Sequence, residues 1–165
     1  MMPDSRGKNY LLNVVDTPGH PSFCDEVTVG MRLADSVLLV VDCVEGVTLA
    51  VEKQVQEAMR SGLQITVFLN KLDRLVLELK LPPGDAYFKL KNTLDELNLL
   101  IKQYNHCGKQ DFLSPLSDNV AFGSTLFESC FSLKSFSQRY VKSDAFAKFL
   151  WGDLYYDEPT RKFTR

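Results

Sequence analysis

The chain is poor in the residues that build metal and disulfide sites. It has two histidines and four cysteines in 165 residues. Cys24, Cys43, Cys107 and Cys130 form no C-x-x-C pair, which argues against a zinc site. Reduced thiols in an intracellular compartment are expected. No run approaches the roughly 18 apolar residues that a membrane-crossing helix needs. Residues Met1 to Asn9 are polar and hold no apolar stretch of the secretory-signal kind. The formal charge is only -2, so the chain as a whole carries no direct nucleic-acid signal. Any RNA association is expected to run through partner proteins or a local patch. His106 and Cys107 share a polar loop in which nothing signals a base or an orienting carboxylate, so they receive no catalytic role.

What is present reads as one globular domain, at 45% hydrophobic and 24% charged residues. Tyr10 to Val15 predicts a buried strand that ends at Asp16. Val37 to Val41 is uninterrupted aliphatic, as in a strand covered on both faces. Ile65 to Leu69 is a third such run, and Val120 to Phe122 a short fourth. Helices are predicted between them. The first spans Phe23 to Leu33. The second spans Thr48 to Arg60, with Thr48 as N-cap and Ser61-Gly62 as the stop. A long one opens at Pro82-Pro83 and runs to about Gln103, with Tyr87, Leu90, Leu94, Leu97 and Ile101 on one apolar face. Asn105 to Asp118 reads as loop. Leu133 to Trp151 suggests one or two helices, and Leu154 to Arg165 irregular chain or strand. Lys80, Lys89 and Lys91 with Asp95 and Glu96 read as a solvated helix face. Trp151, Tyr155 and Tyr156 read as packing residues rather than an RNA-stacking platform. The fold class is α/β: a mostly parallel sheet with helices on both faces.

Two short motifs carry chemistry. The first, Asp16-Thr17-Pro18-Gly19-His20, follows the first strand. An aspartate there suits a Mg²⁺ ion held through water beside phosphates. Gly19 lets the backbone approach a phosphate closely, Pro18 stiffens the turn, and His20 stands where a side chain could orient an attacking water. Alone, the motif is equally an ordinary surface turn. The second, Asn70-Lys71-Leu72-Asp73, follows the third strand. An acidic side chain there can accept hydrogen bonds from guanine N1 and N2, which adenine does not offer. Asn70 can tie the base edge to neighbouring loops, and the Lys71 stem can lie along the ring. Gly123-Ser124, after the fourth strand, is the natural place for a last backbone contact to the base, or a simple turn. A glycine-rich phosphate loop, G-x-x-x-x-G-K-[ST], is found nowhere in the sequence.

The Asp16–His20 motif with its histidine resembles the translational GTPases. Phe23 to Thr28 (FCDEVT) narrows the resemblance to the elongation factor 2 group. Arg74 to Tyr87, Phe131 to Tyr140 and Leu150 to Phe163 look like the spliceosomal branch of that group, the GTPase of the U5 small nuclear ribonucleoprotein. The resemblance implies a partial P-loop GTPase domain lacking its first strand, phosphate loop and switch I. Residues 1–130 would be the C-terminal part of the G domain, and 131–165 a helical tail opening the next region. It implies GTP or GDP with Mg²⁺ in the full-length protein and no nucleotide on this chain alone. It also implies a nuclear location and contacts with the U5 scaffold protein and the U5 helicase. Two other readings stay open: a non-catalytic interaction module of the spliceosome, and a fragment of an elongation factor 2-type translation GTPase.

Overall fold

The computed structural model describes residues 2–3, 9–105, 108, 112–157 and 160–164. His106 and Cys107 lie outside them. In chain order the elements are β1 (Met2–Pro3), β2 (Asn9–Tyr10), α1 (Cys24–Leu33), β3 (Ser36–Asp42), α2 (Leu49–Arg60), β4 (Gln64–Asn70), α3 (Leu72–Leu77), α4 (Pro83–Tyr104), β5 (Val120–Ser124), β6 (Ser129–Phe131), α5 (Leu133–Val141), β7 (Tyr155–Asp157) and β8 (Lys162–Thr164).

The main sheet has the order β3-β4-β5-β6. The β3-β4 and β4-β5 pairs are parallel, and β6 returns antiparallel beside β5. The architecture is therefore α/β and mostly parallel. Register puts Leu39 beside Val67 and Val41 beside Leu69, and Leu69 beside Phe122. All of these are buried, together with Val55 and Ala58 of α2 and Leu94, Leu97 and Ile101 of α4. Helical and strand periodicities thus converge on one core. The Thr48 hydroxyl accepts from the Val51 N–H and starts α2. Gly62, at φ +68°, takes the left-handed conformation that stops it.

Two expectations fail, for one reason. Tyr10 to Val15 does not form a buried strand. Only Asn9–Tyr10 pairs, with Met2–Pro3, and Leu11, Leu12, Val14 and Val15 are exposed. Val37 to Val41 is covered on one face only: Leu39 and Val41 are buried, while Leu38 and Val40 are exposed. β-propensity supplies side chains that suit a sheet, but backbone pairing needs a neighbour. Among the described residues β3 is an edge of its sheet, and residues 11–15 pair with nothing regular.

The segment read as loop is pinned from α4. The buried Asn98 amide donates to the Leu113 carbonyl at 2.9 Å and accepts from the Leu113 N–H at 2.8 Å. Within that segment Pro115–Ser117 forms a 3-10 turn. Strand β6 is too short, at three residues, to show alternation in sequence. It carries the sheet across the expected 130/131 division. A Cβ on Gly123 would run into the Ser129 carbonyl and come within 2.8 Å of the Phe68 ring, so β6 can lie here only beside a glycine.

The tail packs on this core as expected of Trp151. Its ring meets Tyr87 at 5.1 Å and Phe122 at 5.7 Å between centroids, and Lys91 pairs with Asp153 at 3.2 Å. Tyr155 and Tyr156 are instead exposed, on the β7-β8 hairpin.

Candidate functional site

The second motif sits at the end of β4, where a parallel strand hands its chain to a loop. Asn70 is buried, and its side-chain oxygen accepts from the Lys71 N–H at 2.7 Å and the Thr125 N–H at 3.2 Å. The Ser124 hydroxyl donates to Asp73 Oδ1 and accepts from the Phe127 N–H at 3.3 Å. Two loops separated by some fifty residues are thereby fastened together, one after β4 and one after β5. Asp73 Oδ2 has no hydrogen bond among the described residues, which leaves a carboxylate oxygen for two donors on one edge of a planar ligand. Leu72 opens α3.

A residue that sequence reasoning passed over anchors this loop. Asp42 ends β3, opposite Asn70. Its carboxylate accepts from the Val44 N–H at 2.8 Å, pairs with Lys71 Nζ at 2.9 Å and with the Arg74 guanidinium at 2.8 Å. Lys71 is left-handed, at φ 63° and ψ 39°, an uncommon conformation for a residue with a side chain. The signal that could have found Asp42 is an aspartate at the C-terminal end of a parallel strand adjoining the motif-bearing strand.

Burial pushes the Asp42 carboxyl up, but the Lys71 ammonium and the Val44 and Glu45 N–H groups outweigh that, and its pKa is lowered. A lowered folded-state pKa adds stability that is present above the unfolded value near 3.8 and is lost as pH falls through the folded value. Asp42→Asn is therefore expected to flatten the acid limb of stability below about pH 4. Urea midpoints measured on either side of that pH check this; an acid limb unchanged in the variant would refute it. Next to Asp42, burial pushes the Cys43 thiol up to about 12, with Asp42 and Asp73 adding to the shift. Cys43 therefore stays protonated at neutral pH and packs as a small apolar group.

The first motif lies elsewhere. Asp16, Pro18, Gly19 and His20 are exposed, in a segment without regular structure that leads to a 3-10 turn at Pro21–Phe23. His20 Nδ1 accepts from the Ser22 N–H at 3.2 Å and so caps that turn. Thr17 packs against Gly30 of α1, where a Cβ would come within 2.7 Å of its methyl group. Gly19 and His20 line a cleft of about 240 Å³ between α1 and α2, with Cys24, Val27, Lys53 and Glu57. None of Asn70, Lys71, Asp73 or Ser124 lines it. Among the described residues, no hydrogen bond joins Asp16–His20 to the second motif. Nor do those residues contain a group of three or more His, Cys, Asp or Glu side chains placed to hold a metal. Asp16 is a single exposed carboxylate, which by itself does not fit a Mg²⁺ site.

A parallel sheet whose strand ends carry a fastened Asn-Lys-x-Asp loop is the arrangement of a guanine-nucleotide-binding domain. The profile of the elongation factor Tu GTP binding domain matches residues 3–145, and the chain belongs to that family. It is similar to the 110 kDa U5 small nuclear ribonucleoprotein component CLO of Arabidopsis thaliana, at 43% identity over 173 residues. That alignment takes in 100% of this chain and 18% of the relative. It is equally similar to the pre-mRNA-splicing factor cwf10 of Schizosaccharomyces pombe, at 43% identity over 168 residues, 98% of this chain and 17% of the relative. The chain thus spans less than a fifth of the length of these relatives.

Proposed function

We propose that this chain is part of a GTP-binding switch protein of the spliceosome, and that it contributes the guanine-selecting side of the nucleotide site. One observation carries the reading: Asn70, Asp73, Ser124 and Thr125 are joined across two loops in a chain whose relatives are named as U5 and splicing components. In this reading Asp73 accepts from guanine N1 and N2, Asn70 holds the two loops in register, and the Gly123-Ser124 backbone faces the base oxygen. Thr17, Pro18 and Gly19 form the turn beside the terminal phosphate, and His20 orients water. Asp16 would serve Mg²⁺ through water only where phosphates and a further hydroxyl complete the shell. The G domain takes in β6 and so reaches past the expected 130/131 division, toward the end of the family match at residue 145, and the region that follows begins after it. The U5 scaffold protein and helicase are the proposed partners, and the nucleus the proposed location.

A tagged copy of the chain, expressed in cells and run on a density gradient, tests the pathway. Co-sedimentation with U5 RNA, read by hybridisation, is the expected result. Migration with ribosomes would move the assignment to translation, and migration with neither would remove it. The exposed Val29 and Leu33 of α1 and Leu38 and Val40 of β3 favour one second reading, a non-catalytic interaction module. U5 association that persists in an Asp73→Asn variant would support that reading.

A further inference from the structure

We infer that Asp42 is the positioning residue of the Asn70–Asp73 loop, holding it in shape before any ligand arrives. This rests on the reading of that loop as the base reader, and it goes beyond that reading by naming what sets the loop's geometry.

Left-handed backbone at a lysine is disfavoured, and such residues persist only where their surroundings over-determine them. Here the surroundings are specific. Lys71 sits between two fixed points: its N–H is held by Asn70 Oδ1 at 2.7 Å, and its ammonium by Asp42 at 2.9 Å. The chain then turns straight into α3, where Arg74 reaches back to the same carboxylate at 2.8 Å. Asp42 therefore grips the residue before α3 and a residue inside its first turn, and the intervening Asp73 has little freedom to swing. Asp42 is itself anchored: its other oxygen accepts from the Val44 N–H, and its strand is in register with β4 through Asp42 opposite Asn70.

The consequence is chemical. The Lys71 ammonium is already engaged by a carboxylate on its own sheet, so it is not a free cation awaiting phosphate. The loop is built to present Asp73 and Asn70, with Lys71 serving as a strut. Arg74 is further braced by Glu78 at 2.8 Å, which steadies the guanidinium against the pull of solvent.

Amide hydrogen exchange on the full 165-residue chain tests this without nucleotide. The reporters are the Thr125 and Lys71 amides, both held by Asn70 Oδ1. The control is the Val67 amide, bonded to the Asn119 carbonyl at 2.9 Å within the sheet. Asp42→Asn is expected to speed exchange at Thr125 and Lys71 by about tenfold or more while Val67 keeps its protection. Lys71→Met is expected to reproduce part of the Thr125 effect, and the double variant to add little to Asp42→Asn alone, because Asp42→Asn already removes the Lys71 contact along with the Arg74 one. A role confined to general stability would move Val67 in step and make the two substitutions additive. Either of those results, or an unchanged Thr125 amide, overturns the inference. Failure of the base-reading assignment would show separately, with nucleoside added until the Thr125 amide shifts, as shifts of equal size for guanosine and adenosine.

Discussion

A polypeptide of these 165 residues is expected to bind a fluorescent GTP analogue in the millimolar range or more weakly. The reason lies in which contacts hold a nucleoside triphosphate. Most come from a phosphate loop, whose backbone N–H groups, lysine and hydroxyl meet the charged end of the ligand. The sequence contains no such motif. Hydrogen bonds to charged groups contribute about 1.5–3 kcal/mol each. The loss of three removes about 5–9 kcal/mol, or roughly 10³ to 10⁶ in affinity. What the chain offers in the proposed reading is the base side: the Asp73 carboxylate braced by Ser124, and Asn70 braced by Thr125. In the proposed reading those contacts discriminate between bases but are too few to hold the ligand. A titration followed by fluorescence anisotropy settles the matter. Micromolar binding that disappears in Asp73→Asn would show that these residues suffice, and would refute the expectation.

Leu39→Ala and Leu38→Ala should differ sharply, although the two are adjacent residues of one type in one strand. Leu39 is 3% exposed and faces the core beside Val67, whereas Leu38 is 62% exposed on the opposite face. Truncating a buried leucine removes its transfer free energy and leaves a cavity, for a loss of about 2–5 kcal/mol. Domains of this size hold only about 5–15 kcal/mol of stability, so Leu39→Ala should bring a large drop in urea midpoint or leave the chain unfolded. Leu38→Ala should change stability by about 0.5 kcal/mol or less, because it gives up little burial. Equal losses from the two substitutions would mean that the outer face of β3 is packed, as its aliphatic run suggested.

That contrast shows how far the sequence could be read. Val37 to Val41 announced a strand, and the announcement was right about backbone conformation. It was silent about whether anything lies over Leu38 and Val40, because an aliphatic side chain suits a covered face equally well wherever the cover comes from. Tyr10 to Val15 is the sharper case. Its side chains suit a sheet, yet a strand exists only where a neighbour accepts its hydrogen bonds, and here only Asn9–Tyr10 finds one. The Asn70–Asp73 motif was legible because its spacing after a buried run is local. Its clamp was not, because Asp42 is nearly thirty residues away and looks in sequence like any strand-ending aspartate.

Local pattern therefore determined helices α1, α2 and α4 and strands β3, β4 and β5, where α2 and α4 begin, which leucines of α4 turn inward, and that an Asn-Lys-x-Asp loop follows β4. Those follow from periodicity, capping and turn chemistry, all of which act over a few residues. Tertiary structure alone decided that β3 is an edge among the described residues, that β6 doubles back beside Gly123, that Ser124 and Thr125 fasten the Asn70 loop, and that Lys71 gives its charge to Asp42. The Asn70–Thr125 and Lys71–Asp42 contacts join segments remote in the chain. Their pairing depends on distance in space, which no short stretch of residues encodes.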